Sequence, residues 1–535
     1  MLKRNSHSIE HEMAVSSRLP TTDEATSHLA ETETVARGGV AFLIASVVGN
    51  GLSYMVGILL ARWLGAESFG MYALTLAIFN SLAIVMLGGM HTGALKFVSQ
   101  YLGVDDFAKV KSTIILVLVC TLLSGVLLGA GLFLLAPYLA AALFHQPEAT
   151  SILRLFAWGL PLAGLGTVLL AMLQSFQLVG PIILIKHLWE PLGKFLLVLG
   201  LLWAGWGLQG VVFATIFVLL ISVLLFFKII WEKARLTFSD VWQWEPEIGK
   251  SLLLYCLPLS LSNVFDVVAP RLDLFFLGLW STLQDVGVYS AAFQTAAVLA
   301  LILGAFNQIF SPVIGRLSLV REREKVQDLY QFVCRINLTV TIPLFLTLTV
   351  FSSEILRLFG ESFVMGAPCL MVLAFGQVVN SSSGFASTIL LMNGHSRLVL
   401  GNTIIFGGLL IGFAALLIPT WGIWGASLAA AVSHICISLT RVFQVWWLYQ
   451  LHPYSTHLMK SIGAGLLCLI VLVFLKGMLL DVIFPALVIF GVGLYLGLLL
   501  MFKLHPTDRK IVRNLMKSVA IFRGGRSSSH VTETI

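Results

Sequence analysis

Residues 263–289, NVFDVVAPRLDLFFLGLWSTLQDVGVY, carry three charged side chains, Asp266, Arg271 and Asp273, within an apolar run. A charge at the centre of a membrane helix costs about 2.5–3.5 kcal/mol on insertion scales, so three would cost on the order of 8–10 kcal/mol if they faced lipid. We therefore expect them to face protein or a water-filled cavity. An ion pair that joins helices and a cavity-lining role both meet this requirement, and both stay open.

The spacing inside this stretch predicts how the charges are arranged. Asp266 and Asp273 would share one face of a straight helix, with Arg271 on another face. Pro270 lacks the N–H that would bond to the Asp266 carbonyl, so it predicts a kink between the two aspartates. The freed carbonyl oxygen would then be available as a second oxygen ligand beside the Asp266 carboxylate.

The composition is that of a polytopic membrane protein. The 535 residues are 58% hydrophobic and 11% charged, with a mean hydropathy of +0.94. Six cysteines lie singly and form no CxxC pair, disulfide framework or zinc framework, so no metal is expected. The net charge of +7 is attributed to membrane topology rather than to a nucleic-acid partner.

Apolar runs recur at near-regular spacing and predict an all-α fold of fourteen transmembrane helices. The predicted spans are 38–61, 70–92, 112–136, 152–174, 178–202, 207–228, 251–279, 285–310, 329–350, 362–391, 398–418, 423–447, 461–480 and 483–502. The chain has no GxxxxGK[ST] loop and no long loop between spans, which argues against an ATPase and against an enzyme with an exposed catalytic domain.

The distribution of Lys and Arg predicts the topology. Alternate loops on the N-terminal side of the membrane, together with the C-terminal tail, hold 21 Lys and Arg, whereas the opposite loops hold 4. Cytoplasmic loops carry the excess of positive charge, so both termini are expected in the cytoplasm. Residues 1–36 are predicted to be a disordered tail. The basic tail 504–535 is expected to lie on anionic lipid.

Three matched segments indicate an internal repeat. Gly70 and Tyr72 fall on Gly287 and Tyr289 at an offset of 217, and two further matches, at Gly88 with Gly304 and around GWGLQG with TWGIWG, keep nearly the same offset. Six spans per copy is an even number, so the two copies are parallel and are related by an axis along the membrane normal. The predicted units are two six-helix bundles, 37–232 and 249–450, and two extra helices, 458–503.

The repeat residues also carry a family resemblance. The segment LLARWLGAESFGMYALTLA resembles the junction of the first and second spans in bacterial polysaccharide flippases of the O-antigen and capsule type. The segment DLFFLGLWSTLQDVGVYSAA is similar to their seventh-to-eighth junction, where an Asp, then LG, then VGxY recur. The family often has Arg after that Asp, whereas here Leu274 follows Asp273 and Arg271 precedes it. The resemblance places the chain in the MOP superfamily, beside lipid II flippases and MATE exporters.

The resemblance implies a function and partners. The expected activity is translocation of a polyprenyl-diphosphate-linked oligosaccharide from the cytoplasmic to the outer leaflet of the bacterial inner membrane, by alternating access. Polysaccharide polymerase machinery is the implied partner, and no enzymatic activity is implied. The alternative within the superfamily is a MATE-type exporter of small molecules, coupled to an ion gradient.

The charges placed within spans favour an anionic substrate. Five are basic and three are acidic, and cations suit a diphosphate because Arg grips phosphate bidentately and Lys binds it as a point charge. The candidate substrate-binding residues are Arg271, Asp273, Lys186, Lys194, Arg441 and Arg62. The candidate ion-coupling residues are Asp266, Glu190 and His434, with proton and sodium both open. An i,i+4 ladder of Lys186, Glu190 and Lys194 that neutralises itself is the structural alternative in that span.

Overall fold

The computed structural model describes residues 22–234, 246–316, 323–478 and 484–501, and all regular structure in these ranges is helical. The α-helices are α1 Thr22–Leu87, α2 Met90–Leu102, α3 Phe107–Leu139, α4 Ala149–Ser175, α5 Val179–Ile182, α6 Glu190–Trp203, α7 Gly207–Lys233, α8 Pro246–Val268, α9 Leu272–Trp280, α10 Leu283–Arg316, α11 Arg323–Val350, α12 Ser352–Arg357, α13 Ala367–Ser383, α14 Ala386–Met392, α15 Ser396–Trp421, α16 Ile423–Tyr449, α17 Thr456–Met478 and α18 Phe484–Met501. Within these ranges, ten helices are long and apolar enough to cross a membrane.

The first of these ten helices contains two of the predicted spans. Its apolar part, Ile44–Leu87, has 44 residues, about twice the length that one crossing needs. The two spans join at Gly65, whose backbone has φ 79° and ψ 172°, a conformation that is essentially restricted to glycine. The sequence predicts a loop between residues 61 and 70, whereas in the structure the helix is interrupted only at Gly65.

Four other predicted spans fall on interrupted or shorter helices. The span 362–391 consists of a 3-10 turn Glu361–Gly366, α13 and α14. The span 178–202 consists of α5, a π-helical turn Ile183–Trp189 and α6. The span 251–279 consists of α8, a 3-10 turn Ala269–Arg271 and α9, so the break predicted at Pro270 is present. The span 483–502 corresponds to α18.

The predicted terminal tails lie mostly outside the described residues. The structure says nothing of residues 1–21 or 504–535. Helix α1 begins at Thr22, so residues 22–36 are helical although the sequence predicts a disordered tail there. Ala and Glu occur three times each in residues 22–36 and favour a helix, and the segment continues directly into the apolar span.

Two glycines that the sequence predicts to be equivalent bring the two predicted repeats into close contact. A Cβ atom on Gly70 would lie 1.9 Å from the carbonyl oxygen of Leu283, and one on Gly287 would lie 2.0 Å from that of Ala66. Each oxygen belongs to the residue four positions before the opposite glycine, so the contact between α1 and α10 has two-fold character. We call this contact the glycine crossing. Only residues without a side chain allow helices to approach this closely.

Aromatic side chains close the molecule beside the glycine crossing. Phe69 packs edge-on against Phe363 at 5.8 Å between ring centroids, and Tyr54 packs edge-on against Phe359 at 5.6 Å. Phe359 and Phe363 are both fully buried. The two repeats are therefore held together at the end of the molecule near Gly65, which the distribution of Lys and Arg predicts to be the outer side.

Candidate substrate cavity

A cavity of about 310 Å³ lies between the two repeats, next to the glycine crossing. Helices α1 and α6 line it from the first repeat, and α9, α10 and the turn before α9 line it from the second. The lining residues are Ser53, Val56, Gly57, Leu60, Phe69, Tyr72, Ala73, Leu76, Ala77, Asn80, Lys194, Arg271, Leu274, Ser290, Phe293, Gln294 and Ala297. Two of the sequence-predicted residues, Lys194 and Arg271, thus face one space from opposite repeats.

Lys194 enters the cavity from α6. Its Nζ donates a hydrogen bond of 2.8 Å to the hydroxyl of Tyr72 and lies 5.6 Å from the centre of the Tyr72 ring. The adjoining charges, Lys186 and Glu190, pair with each other at 2.7 Å. The predicted ladder therefore divides, with a neutral pair at one end and a cation directed to the cavity at the other.

Arg271 enters the cavity from the 3-10 turn that follows Pro270. The turn places its guanidinium over the ring of Phe293, 5.0 Å from the ring centre. The residue as a whole remains exposed, so the donors of the guanidinium stay available to a ligand. Stacking on an aromatic face fixes the orientation of the guanidinium without using its hydrogen bonds.

Uncharged polar residues complete the cavity, and the sequence prediction missed them. Ser53, Asn80, Ser290 and Gln294 all line it. Gln294 packs against Gly57, where a Cβ atom would lie 2.7 Å from the Gln294 Oε1. Among the lining residues, all of which belong to the described ranges, there are two cations and no carboxylate.

Asp273 does not line this cavity, although the sequence predicts it as a substrate-binding residue. Its side chain is 2% exposed, and its carboxylate accepts hydrogen bonds from the Tyr289 hydroxyl and from the backbone N–H of Leu274. Asp266 and Asp273 lie on opposite sides of the 3-10 turn Ala269–Arg271, at the break predicted from Pro270, and have different surroundings. Asp266 is exposed and contacts another helix.

Asp266 belongs to a separate polar cluster in the second repeat. Its carboxylate accepts a hydrogen bond of 3.1 Å from the Thr403 hydroxyl on α15. Arg441 on α16 lies close enough for its charge to attract that of Asp266, and its Nε has no hydrogen-bond partner among the described residues. His434, one of the other predicted coupling residues, packs against Phe406 at 4.9 Å between ring centroids.

The remaining predicted residues lie away from the cavity lining. Arg62 is exposed at the end of the first span, beside the break at Gly65. Lys186 and Glu190 lie at the π-helical turn, where the His187 carbonyl comes within 2.6 Å of the position of a Cβ atom on Gly49. Pro191 cannot donate a hydrogen bond to that carbonyl. The turn therefore packs span 5 closely against span 1.

Comparisons with known proteins agree with this architecture. A family model described as polysaccharide biosynthesis protein matches residues 59–368, more than half of the chain. A probable low-salt glycan biosynthesis flippase from Haloferax volcanii is 23% identical over 412 residues, which are 75% of this chain and 81% of that protein. An uncharacterized membrane protein from Methanocaldococcus jannaschii is 22% identical over 478 residues, which are 84% of this chain and 92% of that protein.

Solved structures show the same fold. The lipid II flippase MurJ, in an inward closed conformation, aligns with a TM-score of 0.71 and 16% identity over 86% of this chain and 98% of that chain. An inward-facing MATE family transporter aligns with a TM-score of 0.67 and 18% identity over 77% of this chain and 98% of that chain. The resemblance predicted from the repeat residues is confirmed, and the chain is grouped with transporters rather than enzymes. This multi-pass membrane protein belongs to the polysaccharide biosynthesis protein family.

Proposed function

We propose that this chain is a flippase that moves an oligosaccharide on a polyprenyl diphosphate from the cytoplasmic to the outer, periplasmic leaflet. The observation that carries the proposal is the cavity between the repeats, where Lys194 and Arg271 face one space and the described lining residues include no carboxylate. A diphosphate leaves water only where cations replace its hydration. An exporter of organic cations would instead need acidic and aromatic groups.

The size of the cavity matches one part of such a substrate. A volume of about 310 Å³ is at the lower end of the range for ligand pockets. It suits the diphosphate and the adjoining sugar rather than a complete oligosaccharide. The polyprenyl tail stays in the surrounding lipid, because lipid chains are as apolar as a protein surface and moving the tail onto the protein would gain little free energy.

The proposed architecture is fourteen spans, arranged as two parallel six-helix bundles and two further helices, with both termini in the cytoplasm. The two-fold character of the glycine crossing supports the parallel repeat. Alternating access then consists of rocking one bundle against the other around the cavity. The proposed location is the bacterial inner membrane, next to the polymerase machinery that lengthens the translocated glycan for the cell surface.

The proposed coupling group is Asp266. Asp266 is exposed and its carboxylate accepts a hydrogen bond from Thr403, whereas Glu190 is already paired with Lys186. A proton or a sodium ion at Asp266 would weaken its attraction to Arg441 and thereby weaken the electrostatic link between α8 and α16. Asp266→Asn is expected to make translocation insensitive to the ion gradient, measured as the ratio of the rates with and without an imposed proton or sodium gradient.

The test of the proposed function is head-group translocation of a polyprenyl-diphosphate oligosaccharide in proteoliposomes. We expect the wild type to translocate it and Arg271→Ala to do so about tenfold more slowly or worse, because a charge-assisted contact is lost. Arg357→Ala is the matched control, since Arg357 is exposed and pairs with Glu361 at 3.1 Å, away from the cavity. Arg271→Lys should keep part of the activity.

Two outcomes would contradict the proposal. If Arg271→Ala inserts normally and translocates as fast as Arg357→Ala, the cavity cation is not used. If the wild type leaves the lipid in place but exports a small organic cation along an ion gradient, the chain is a MATE-type exporter. The similarity in fold to a MATE transporter makes this second function the appropriate alternative.

A further inference from the structure

A second space, a groove of about 730 Å³, lies on the other side of the glycine crossing. It is built from three connections between helices, around Glu67, at 144–146 and at 279–284. Leu283, whose carbonyl oxygen meets Gly70, lines this groove. Phe69, the neighbour of Gly70, lines the cavity instead. The crossing therefore separates the cavity from the groove, which we call the outer groove.

Trp280 forms a flat apolar platform in the outer groove. Its ring stacks on that of Phe276 with 5.0 Å between centroids and an interplanar angle of 19°. The residue is 46% exposed and lines the groove, so part of the indole is accessible to a ligand. The C–H face of a pyranose ring is apolar, so it can stack on the flat indole ring in the way that one aromatic ring stacks on another.

Polar groups that donate and accept hydrogen bonds surround this platform. The Glu67 carboxylate accepts a hydrogen bond from the Gln146 side chain and keeps a second oxygen for a ligand. Gln284 contributes a further amide. The hydroxyls of Ser281 and Thr282 both donate to Asp285, and the Thr282 hydroxyl also accepts a hydrogen bond of 3.2 Å from the Asp285 backbone N–H. A hydroxyl oxygen has two lone pairs, so each of the two can still accept a hydrogen bond from a ligand. Neutral hydroxyl-rich ligands need this mixture of donors and acceptors.

The charge of the outer groove is opposite to that of the cavity. Among its lining residues, which are all described, there is a carboxylate at Glu67 and neither Lys nor Arg. A diphosphate would be repelled here, whereas an uncharged sugar would not. The cavity and the groove are therefore suited to different parts of one molecule.

We propose that the outer groove binds neutral sugar residues of the glycan as they leave the cavity. This inference rests on the proposed function for one point, namely that the transported substrate is a glycan. Opening of the glycine crossing would join the two spaces, so that the sugars reach Trp280 while the diphosphate is still held by Lys194 and Arg271. Binding of the sugars then favours forward movement because it stabilises the emerged state.

Anchoring at the membrane surface is the ordinary role of an exposed tryptophan. Trp158, which is 72% exposed, fits that role because its surroundings are apolar, including Phe133 and Leu134. Trp280 differs because the groove that it lines also contains polar side chains, among them Glu67, Gln146 and Gln284. Trp158 is therefore the matched control for an experiment on Trp280.

The experiment is calorimetric titration of the full-length protein in detergent with free neutral tetrasaccharides, one set built of hexoses and one of N-acetylhexosamines. We expect the wild type to bind at least one of them and Trp280→Ala to weaken that binding about tenfold or more. Trp280→Phe should restore part of the affinity, and Trp158→Ala should leave it unchanged. Glu67→Gln tests the carboxylate and is expected to weaken binding without affecting folding.

The results separate this inference from the proposed function. If no tetrasaccharide binds to the wild type, or if Trp280→Ala binds as tightly as Trp158→Ala, the outer groove is not a sugar site. Translocation by the wild type would still support the flippase in that case. If sugar binds through Trp280 but the lipid is not translocated, the sugar site in the outer groove is supported and the proposed flippase function is contradicted.

Discussion

Asp273 illustrates how one charged side chain is kept inside an apolar span. Its carboxylate is 2% exposed and accepts hydrogen bonds from the Tyr289 hydroxyl and, at 2.7 Å, from the backbone N–H of Leu274. A buried acceptor that loses a partner costs about 1–3 kcal/mol, and more when it is charged. Tyr289→Phe removes only the hydroxyl, so we expect it to lower the unfolding free energy by at least about 1 kcal/mol. Denaturant unfolding of the purified chain in detergent measures this change.

The control for this prediction is Tyr138→Phe, because Tyr138 is 71% exposed and should tolerate the same change. Equal stability of the two variants would show that the Tyr289 hydroxyl does not hold Asp273. The carboxylate would then be free for the substrate-binding role that the sequence predicts. A specific loss of stability in Tyr289→Phe would instead assign Asp273 to the packing of α9 against α10.

At the scale of elements, the glycine crossing sets the distance between α1 and α10. A methyl group on Gly70 would meet the Leu283 carbonyl oxygen at 1.9 Å and the Gly287 nitrogen at 2.7 Å. Both are backbone atoms, which cannot turn away as a side chain does. Gly70→Ala is therefore expected to push the helices apart and to destabilise the protein by about 1–3 kcal/mol, the usual cost of overpacking. Thermal unfolding of the variant measures the effect.

Gly131→Ala is the matched control, since a Cβ atom there would have no neighbour within 4 Å. It lies within α3, where Ala is a better helix former than Gly, so its stability should be unchanged or slightly higher. Equal unfolding temperatures for both alanine variants would mean that the two repeats are not in close contact at Gly70.

The elements that the sequence predicts correctly are those decided by local chemistry. Apolar runs are long enough to identify spans, and Pro270 identifies the break before α9 because a missing N–H acts locally. For the π-helical turn Ile183–Trp189, Pro191 gives the same local signal at the His187 carbonyl, but the sequence does not indicate that the turn is π-helical. It depends on the approach of the His187 carbonyl to Gly49, which is a contact between distant segments.

The candidate site could be predicted only in part for a similar reason. Lys194 and Arg271 are conspicuous because charges are rare in apolar spans, and both line the cavity. Asn80 and Gln294 are missed because uncharged polar residues in spans commonly serve helix packing, so their type does not indicate a cavity. Asp273 lies outside the cavity lining, because the sequence shows the break at Pro270 but not which side chains beyond it face the cavity.

At the scale of the whole molecule, the two repeats meet a second time at the predicted cytoplasmic side. Tyr255 on α8 packs edge-on against Phe97 of α2 at 5.7 Å between ring centroids, and the Lys96 Nζ lies 3.8 Å from the centre of the same tyrosine ring. A Cβ atom on Gly93 would lie 2.4 Å from the Sγ of Cys256. A cysteine at position 93 is therefore close enough to form a disulfide with native Cys256 after a small adjustment.

Gly93→Cys thus offers a reversible link between the repeats. If translocation requires the repeats to move relative to each other at this contact, oxidation should stop it and a reductant should restore it, as measured by the proteoliposome assay. The same substitution combined with Cys256→Ser is the control, because it cannot form the link and should respond to neither treatment. Undiminished translocation by fully oxidised protein would mean that the repeats stay together here. The rocking motion would then have to take place at the glycine crossing alone.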